Sequence, residues 1–165
     1  MIYLGPWRFP LVVVLGVILF LISVSLVMQP KVAHAASFVS CSGNGCNGQD
    51  PHTTGCDRDG STAGARVGIY EGSRLLGYVE NRYSRTCGTN WALVYTNDNS
   101  VTYMGGEIIR SDGLHLCYPR DCRTFYSNRL YTDMVYDPTG KGMTAKACGY
   151  ISGRNSEPGA CTPYY

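Results

Sequence analysis

Residues 75–96, LLGYVENRYSRTCGTNWALVYT, decide the fold class. Leu75–Tyr83 and Trp91–Thr96 are short runs of Leu, Val, Tyr and Trp, the residue types that suit a pleated, half-buried surface. Between them Ser84–Asn90 carries a cysteine and a glycine, so one strand runs into a bridged turn and Trp91 opens the next. The same rhythm extends in both directions. Upstream, Arg66–Tyr70 (RVGIY) and the turn Glu71-Gly72-Ser73 make a hairpin with Leu75–Tyr83. Downstream, Val101–Met104 stops at the breaker Gly105-Gly106. Glu107–Arg110, the Asp112-Gly113 turn and Leu114–Tyr118 follow, and Tyr131–Tyr136 ends at Asp137-Pro138-Thr139-Gly140. After the N-terminal segment, no window of eleven residues carries the i, i+3, i+4, i+7 apolar spacing of a packed helix. The pattern predicts an all-β domain, a small disulfide-stapled barrel or sandwich of short antiparallel strands.

Three segments precede or make up this domain. Residues 1–35 contain Arg8, then an apolar run from Leu11 to Met28, then Pro30 and Ala33-His34-Ala35, the order of a signal peptide cut after Ala35. Eighteen apolar residues also approach the length of a membrane span, so an uncleaved anchor is the alternative. Residues 36–65 are a bridged loop region dense in Cys, Gly, Asn, Asp and Ser, and residues 66–165 are the β domain, with 36–65 packed onto it as a single domain. The location implied is secreted, or membrane-anchored facing outside.

Of the 14 Lys and Arg in the 165-residue chain, two lie before residue 36, which leaves 12 cations against 12 anions in the remainder. A neutral segment with only two lysines, Lys141 and Lys146, lacks the cationic surplus that displaces counterions from nucleic acid. All eight cysteines lie in that segment: Cys41, Cys46, Cys56, Cys87, Cys117, Cys122, Cys148 and Cys161. An even set in an exported chain favours four disulfides. Eight cysteines permit 105 pairings; pairing of chain neighbours is the expectation, Cys41 with Cys46, Cys56 with Cys87, Cys117 with Cys122 and Cys148 with Cys161. Zinc is opposed by the spacings, C-x4-C, C-x9-C and C-x4-C, with no C-x2-C knuckle and two histidines, His52 and His115.

Chemistry-bearing residues are scattered. Asp57-Arg58-Asp59-Gly60 is a fragment of a calcium loop whose full pattern is absent, so Asp57 and Asp59 read as turn-capping carboxylates with calcium as the alternative. His52 and His115 read as structural or surface histidines. With Ser84, Ser100 or Ser111 either could act as acid or base, but no nucleophile elbow or zinc-protease motif accompanies them. Glu71, Glu80, Glu107 and Glu157 lie in separate segments, where a glycosidase needs two carboxylates in one cleft. Twelve tyrosines follow residue 35, and residues such as Tyr78, Tyr83, Tyr131 and Tyr136 read first as cross-strand packing groups. Trp91 reads first as a core pin beside the Cys87 bridge. The competing reading is an exposed binding platform of Arg82, Tyr83 and Trp91.

The blocks CSGNGCNGQDPHTTGC (41–56), RYSRTCGTNWA (82–92), TDMV (132–135) and AKAC (145–148), in that order, resemble the YjfA-like family of secreted bacterial proteins, a domain of unknown function. The likeness spans about Cys41 to Tyr150. Relative to shorter members, Leu114–Leu130 looks like an insertion, which is a further reason to join Cys117 to Cys122. The resemblance implies export and a bridged domain, and it supplies no mechanism. The functional expectation is therefore a non-catalytic extracellular interaction or cell-envelope module without cofactor or metal. Its partner would be an extracellular protein or polysaccharide, and it would meet a membrane only through an uncleaved N-terminal segment. The alternatives are a small hydrolase acting on wall polymer or peptide, and a secreted enzyme inhibitor.

Overall fold

The computed structural model describes residues 38–117, 122–125, 127–138 and 142–165. The signal or anchor segment, its cleavage after Ala35 and the Thr139-Gly140 half of the last turn lie outside them. Among the described residues no helix is long and apolar enough to cross a membrane.

The described strands are β1 Ser61–Thr62, β2 Val67–Glu71, β3 Arg74–Ser84, β4 Thr89–Tyr95, β5 Tyr103–Arg110 and β6 His115–Cys117. They continue with β7 Arg123–Phe125, β8 Arg129–Tyr131, β9 Val135–Tyr136, β10 Ala145–Ile151 and β11 Gly159–Cys161. They form two antiparallel sheets. In the first, β3 and β4 are the centre; β1 and β2 share the free edge of β3, while β8 and β9 share that of β4. In the second, β10 and β5 are the centre, flanked by β11 on one side and by β6 and β7 on the other. The all-β reading is thus borne out, and of the two architectures it allowed, a two-layer sandwich is the one found.

Alternation along the strands separates core from surface. Ile69, Val79, Ala92, Val94 and Leu130 of the first sheet meet Met104, Ile108, Ala145, Ala147 and Ile151 of the second in one buried cluster. Two glycines set the distance between the layers. Gly106 of β5 and Gly149 of β10 are register partners. A Cβ on Gly106 would lie 2.6 Å from Leu130 Cδ2, and one on Gly149 would lie 2.8 Å from Val94 Cγ2. Gly105-Gly106 was expected to break a strand. Instead β5 runs straight through it, because small residues there let the facing sheet approach.

The core also holds an amide pair. Asn81 donates to the carbonyl of Ala145 across the sheets at 2.8 Å and accepts from Asn90 at 2.8 Å. Both asparagines are buried.

The cysteine-rich segment covers one end of the outer face of the first sheet. Asp50 starts a helical turn, Pro51–Thr54, by accepting from the backbone N–H groups of His52 and Thr53, and Gly55 ends it at φ +77°. That sequence, a capping carboxylate, a proline and a left-handed glycine, is the local logic of a short helix. Further 3-10 turns span Gly43–Cys46 and Cys56–Asp59. The segment therefore winds through three single turns where the sequence suggested plain loop.

Candidate functional site

The structure closes four bridges, Cys41–Cys46, Cys56–Cys87, Cys117–Cys122 and Cys148–Cys161. The Cys56–Cys87 bridge fastens the cysteine-rich segment to the β3–β4 turn. Beside it lies Trp91, 1% exposed, packed with Cys46, Cys56, Cys87 and Met134. Gly60 lies directly on the indole: a Cβ there would stand 2.8 Å from Trp91 Cη2.

This corrects the Arg82–Tyr83–Trp91 platform. Trp91 offers no ring to a ligand because the Asp57–Thr62 segment covers it. Arg82 shares its face and is spent on that cover, donating to Gly60 O at 2.5 Å and Thr62 Oγ1 at 2.7 Å and pairing with Glu80. Tyr83 precedes Ser84 on the same strand and points to the face opposite Arg82, as neighbours in a strand must. The three residues make no common surface.

Nor do Asp57 and Asp59 converge on one cation. Asp57 pairs with His52 Nδ1 at 2.5 Å, whereas Asp59 accepts from Ser84 Oγ at 2.5 Å and from Thr86 N and Oγ1 at 2.9 Å. Burial raises the Asp59 carboxyl, but the hydrogen bonds from Ser84 and Thr86 outweigh it and hold the group below its ordinary range. The other candidates are equally separate. Ser100 bonds to Asp98 and Ser111 to the Thr144 N–H, while His115 pairs with Glu107 at 3.2 Å. Glu71 accepts from the backbone of Arg154 and Asn155.

A different constellation emerges on the same outer face, running up to the edge of the cover. Register places Tyr78 opposite Tyr95 and Tyr95 opposite Arg129, so one row of side chains crosses three strands. The Arg66 guanidinium lies 4.4 Å over the Tyr78 ring and donates to the Tyr95 hydroxyl at 3.3 Å. The Tyr78 and Tyr95 rings are 5.5 Å apart and tilted by 30°. Arg129 sits 5.2 Å over Tyr131, and the His52 ring meets Tyr131 edge-on at 4.4 Å. Guanidinium–ring and ring–ring contacts of this kind preorganise the side chains, and Tyr78, Tyr95 and Tyr131 are half-buried in the row.

Below the stripe, Glu80 fixes its polar atoms. It accepts from Thr62 at 2.6 Å and from the Tyr95 hydroxyl at 3.0 Å. Burial raises the Glu80 carboxyl, but these bonds and Arg82 more than offset it, so the group stays ionised. At the Tyr95 end the stripe runs into two adjoining clefts, of about 390 and about 460 Å³. Their polar lining comes from Asn97, Asp98, Asn99, Ser127 and Asn128. Asp98 is fixed by Arg74 and Ser100.

From the sequence, Tyr78 and Tyr131 were visible only as part of a tyrosine surplus that suits cross-strand packing. The register sets Tyr78 opposite Tyr95 and Tyr131 opposite Leu93, with Arg129 stacking on Tyr131 from the same strand. Strict period-two spacing, Tyr78-x-Glu80-x-Arg82 and Arg129-x-Tyr131, was the signal that marks one face.

The described residues form a sandwich of two antiparallel sheets fastened by four bridges. Residues 44–148 match the family model described as Protein of unknown function (DUF2690), and the chain belongs to that family. It is similar to the Bacillus subtilis (strain 168) protein titled Uncharacterized protein YjfA, 30% identical over 131 residues that cover 72% of this chain and 79% of the relative. The resemblance read from the motif order is borne out. No solved structure matches the chain.

Proposed function

We propose that the chain is an exported, non-catalytic binding module, released by cleavage after Ala35, that holds a polysaccharide on the outer face of its first sheet. The observation that carries this reading is the continuous stripe Arg66–Tyr78–Tyr95–Arg129–Tyr131–His52. A sugar ring presents C–H groups that pack on aromatic faces and hydroxyls that bond to amides and carboxylates. The stripe supplies the first kind of contact, and the clefts with Asn97, Asn99 and Asn128 supply the second. Four bridges suit an oxidising, extracellular setting. Rigid side chains held by Glu80 and Arg66 reduce the ordering cost of binding.

The test is co-sedimentation of the protein with insoluble cell-wall polysaccharide, backed by titration with soluble oligosaccharides. Replacing Tyr78, Tyr95 and Arg129 together by Ala should weaken retention by at least about 10-fold, since Tyr and Arg anchors each carry 1 kcal/mol or more at binding hot spots. The far-ultraviolet circular dichroism should stay that of the parent, because these side chains lie outside the core. Unchanged retention in a folded variant would remove the stripe from the site.

One observation favours a second reading. His52 with Asp57 at 2.5 Å is a histidine held by a carboxylate on an exposed surface, the pair a hydrolase of wall polymer or peptide uses as its base. That reading predicts release of soluble fragments, abolished by His52→Ala. The binding module predicts none.

A further inference from the structure

The Cys41–Cys46 and Cys56–Cys87 bridges lie against each other. Cys41 Sγ is 3.7 Å from Cys56 Sγ, and all four sulfurs lie within 4.8 Å of one another. Four thiolates around a zinc ion at about 2.3 Å stand about 3.8 Å apart in a tetrahedron. The Cys41–Cys56 separation already matches that spacing, and the other sulfurs lie close enough to adjust to it. We propose that Cys41, Cys46, Cys56 and Cys87 form a redox-gated metal site, closed as two disulfides under oxidising conditions and holding one Zn²⁺ when both bridges are reduced.

The surroundings support the geometry without the bridges. Gly43 N–H donates to Cys87 O at 3.0 Å, Gly48 N–H to Met134 O at 2.9 Å, and Ser40 N–H to Thr54 O at 3.0 Å. Ser84 Oγ, itself bonded to Asp59, accepts from Cys87 N–H at 3.1 Å. These contacts keep the loops together when the S–S bonds open. Trp91 and Met134 wall the sulfurs from water. Cys46, Cys56 and Cys87 are buried to 2% exposure or less, whereas Cys41 is half-buried, so reductant enters at Cys41.

The chemistry balances with a dithiol as reductant. Two dithiols break the two S–S bonds, leave as two cyclic disulfides, and give four cysteine thiols. Zn²⁺ then binds four thiolates and displaces four protons to water. Two equivalents of a disulfide oxidant reverse the sequence, re-forming both bridges and expelling the ion. Linear spacing opposed zinc because no C-x2-C knuckle is present. The fold assembles the same ligand set from two short loops and the β3–β4 turn.

In the test, the full chain is reduced with a phosphine under nitrogen, since a dithiol would compete for metal, and titrated with Cd²⁺ or Zn²⁺. The expected result is one ion per chain by native mass spectrometry and a thiolate-to-cadmium absorption band. Metal should slow iodoacetamide alkylation of Cys41, Cys46, Cys56 and Cys87, while Cys117, Cys122, Cys148 and Cys161 react at their metal-free rates. C41S/C46S should weaken binding by more than about 100-fold, beyond what loss of an outer-shell partner costs. C117S/C122S should bind as the parent does. The proposal is overturned by no stoichiometric uptake, by protection of another cysteine set, by tight binding retained in C41S/C46S, or by a reduced chain that stays unfolded with metal present.

Discussion

Asp137 shows how much one buried carboxyl can decide. It is 5% exposed at the end of β9, near Arg110, whose guanidinium is already committed to Asp112 through two bonds and to Tyr136 O through a third. Burial pushes the Asp137 carboxyl up to about 6, and the Arg110 charge offsets only part of the shift. Between its unfolded value near 3.8 and about 6 the folded chain holds the extra proton. Stability from this group is therefore present below pH 4 and lost as pH rises through 6. Asp137→Asn should stabilise the protein by about 2 kcal/mol at pH 7.5 and leave it nearly unchanged at pH 4, read by urea unfolding at both values. Asp112 runs the other way. Its hydrogen bonds from Arg110 hold it at about 2, so its contribution is present above pH 4 and fades only as pH falls toward 2. None of this was visible in the sequence, where Asp137 looked like the first residue of an ordinary Asp-Pro turn.

At the scale of elements, legibility followed β-propensity. Strands β2, β3 and β4 are rich in Val, Ile, Leu, Tyr and Trp and were readable directly. The central strand of the second sheet, β10 Ala145–Ile151, was not, because Ala-Lys-Ala-Cys-Gly carries almost no β-branched or aromatic signal. Its composition is a packing requirement: small residues face Val79 and Val94 where the layers come closest. The same pressure made Gly105-Gly106 look like a break. Tyr131–Tyr136 was read as one strand but divides into β8 and β9, and the Thr132 hydroxyl between them accepts from Ala92 N–H in place of a backbone carbonyl. Gly149→Ala should therefore cost about 1–3 kcal/mol by overpacking against Val94. Gly45→Ala, with open space around it, should change stability by less than about 0.5 kcal/mol. Pairing Gly149→Ala with Val94→Ala should recover part of the loss, and a double-mutant cycle by thermal unfolding measures the coupling.

For the molecule as a whole, the bridges are not equivalent. Cys56–Cys87 joins residues 31 apart and fastens the cysteine-rich cover over Trp91, whereas Cys117–Cys122 joins residues five apart. Loop-closure entropy alone gives about 4 kcal/mol for the first and about 2 kcal/mol for the second. Replacing Cys56 and Cys87 by Ala should lower the unfolding midpoint more than replacing Cys117 and Cys122, with a larger rise in Trp91 exposure. Pairing neighbours along the chain needed only the cysteine positions. The gathering of four sulfurs did not follow from them, because it depends on two loops meeting over the indole. The tyrosine–arginine stripe likewise needed the β3–β4–β8 register. That register is itself guarded by Asn81 and Asn90. A shift of one residue between β3 and β4 would carry one amide out of the pair and leave the other sealed in hydrocarbon without its partner, a cost of about 1–3 kcal/mol. Because Asn81 also grips Ala145, the pair works as a checksum on the assembled sandwich: an offset between β3 and β4, or between the two layers at Ala145, is felt at the same two side chains.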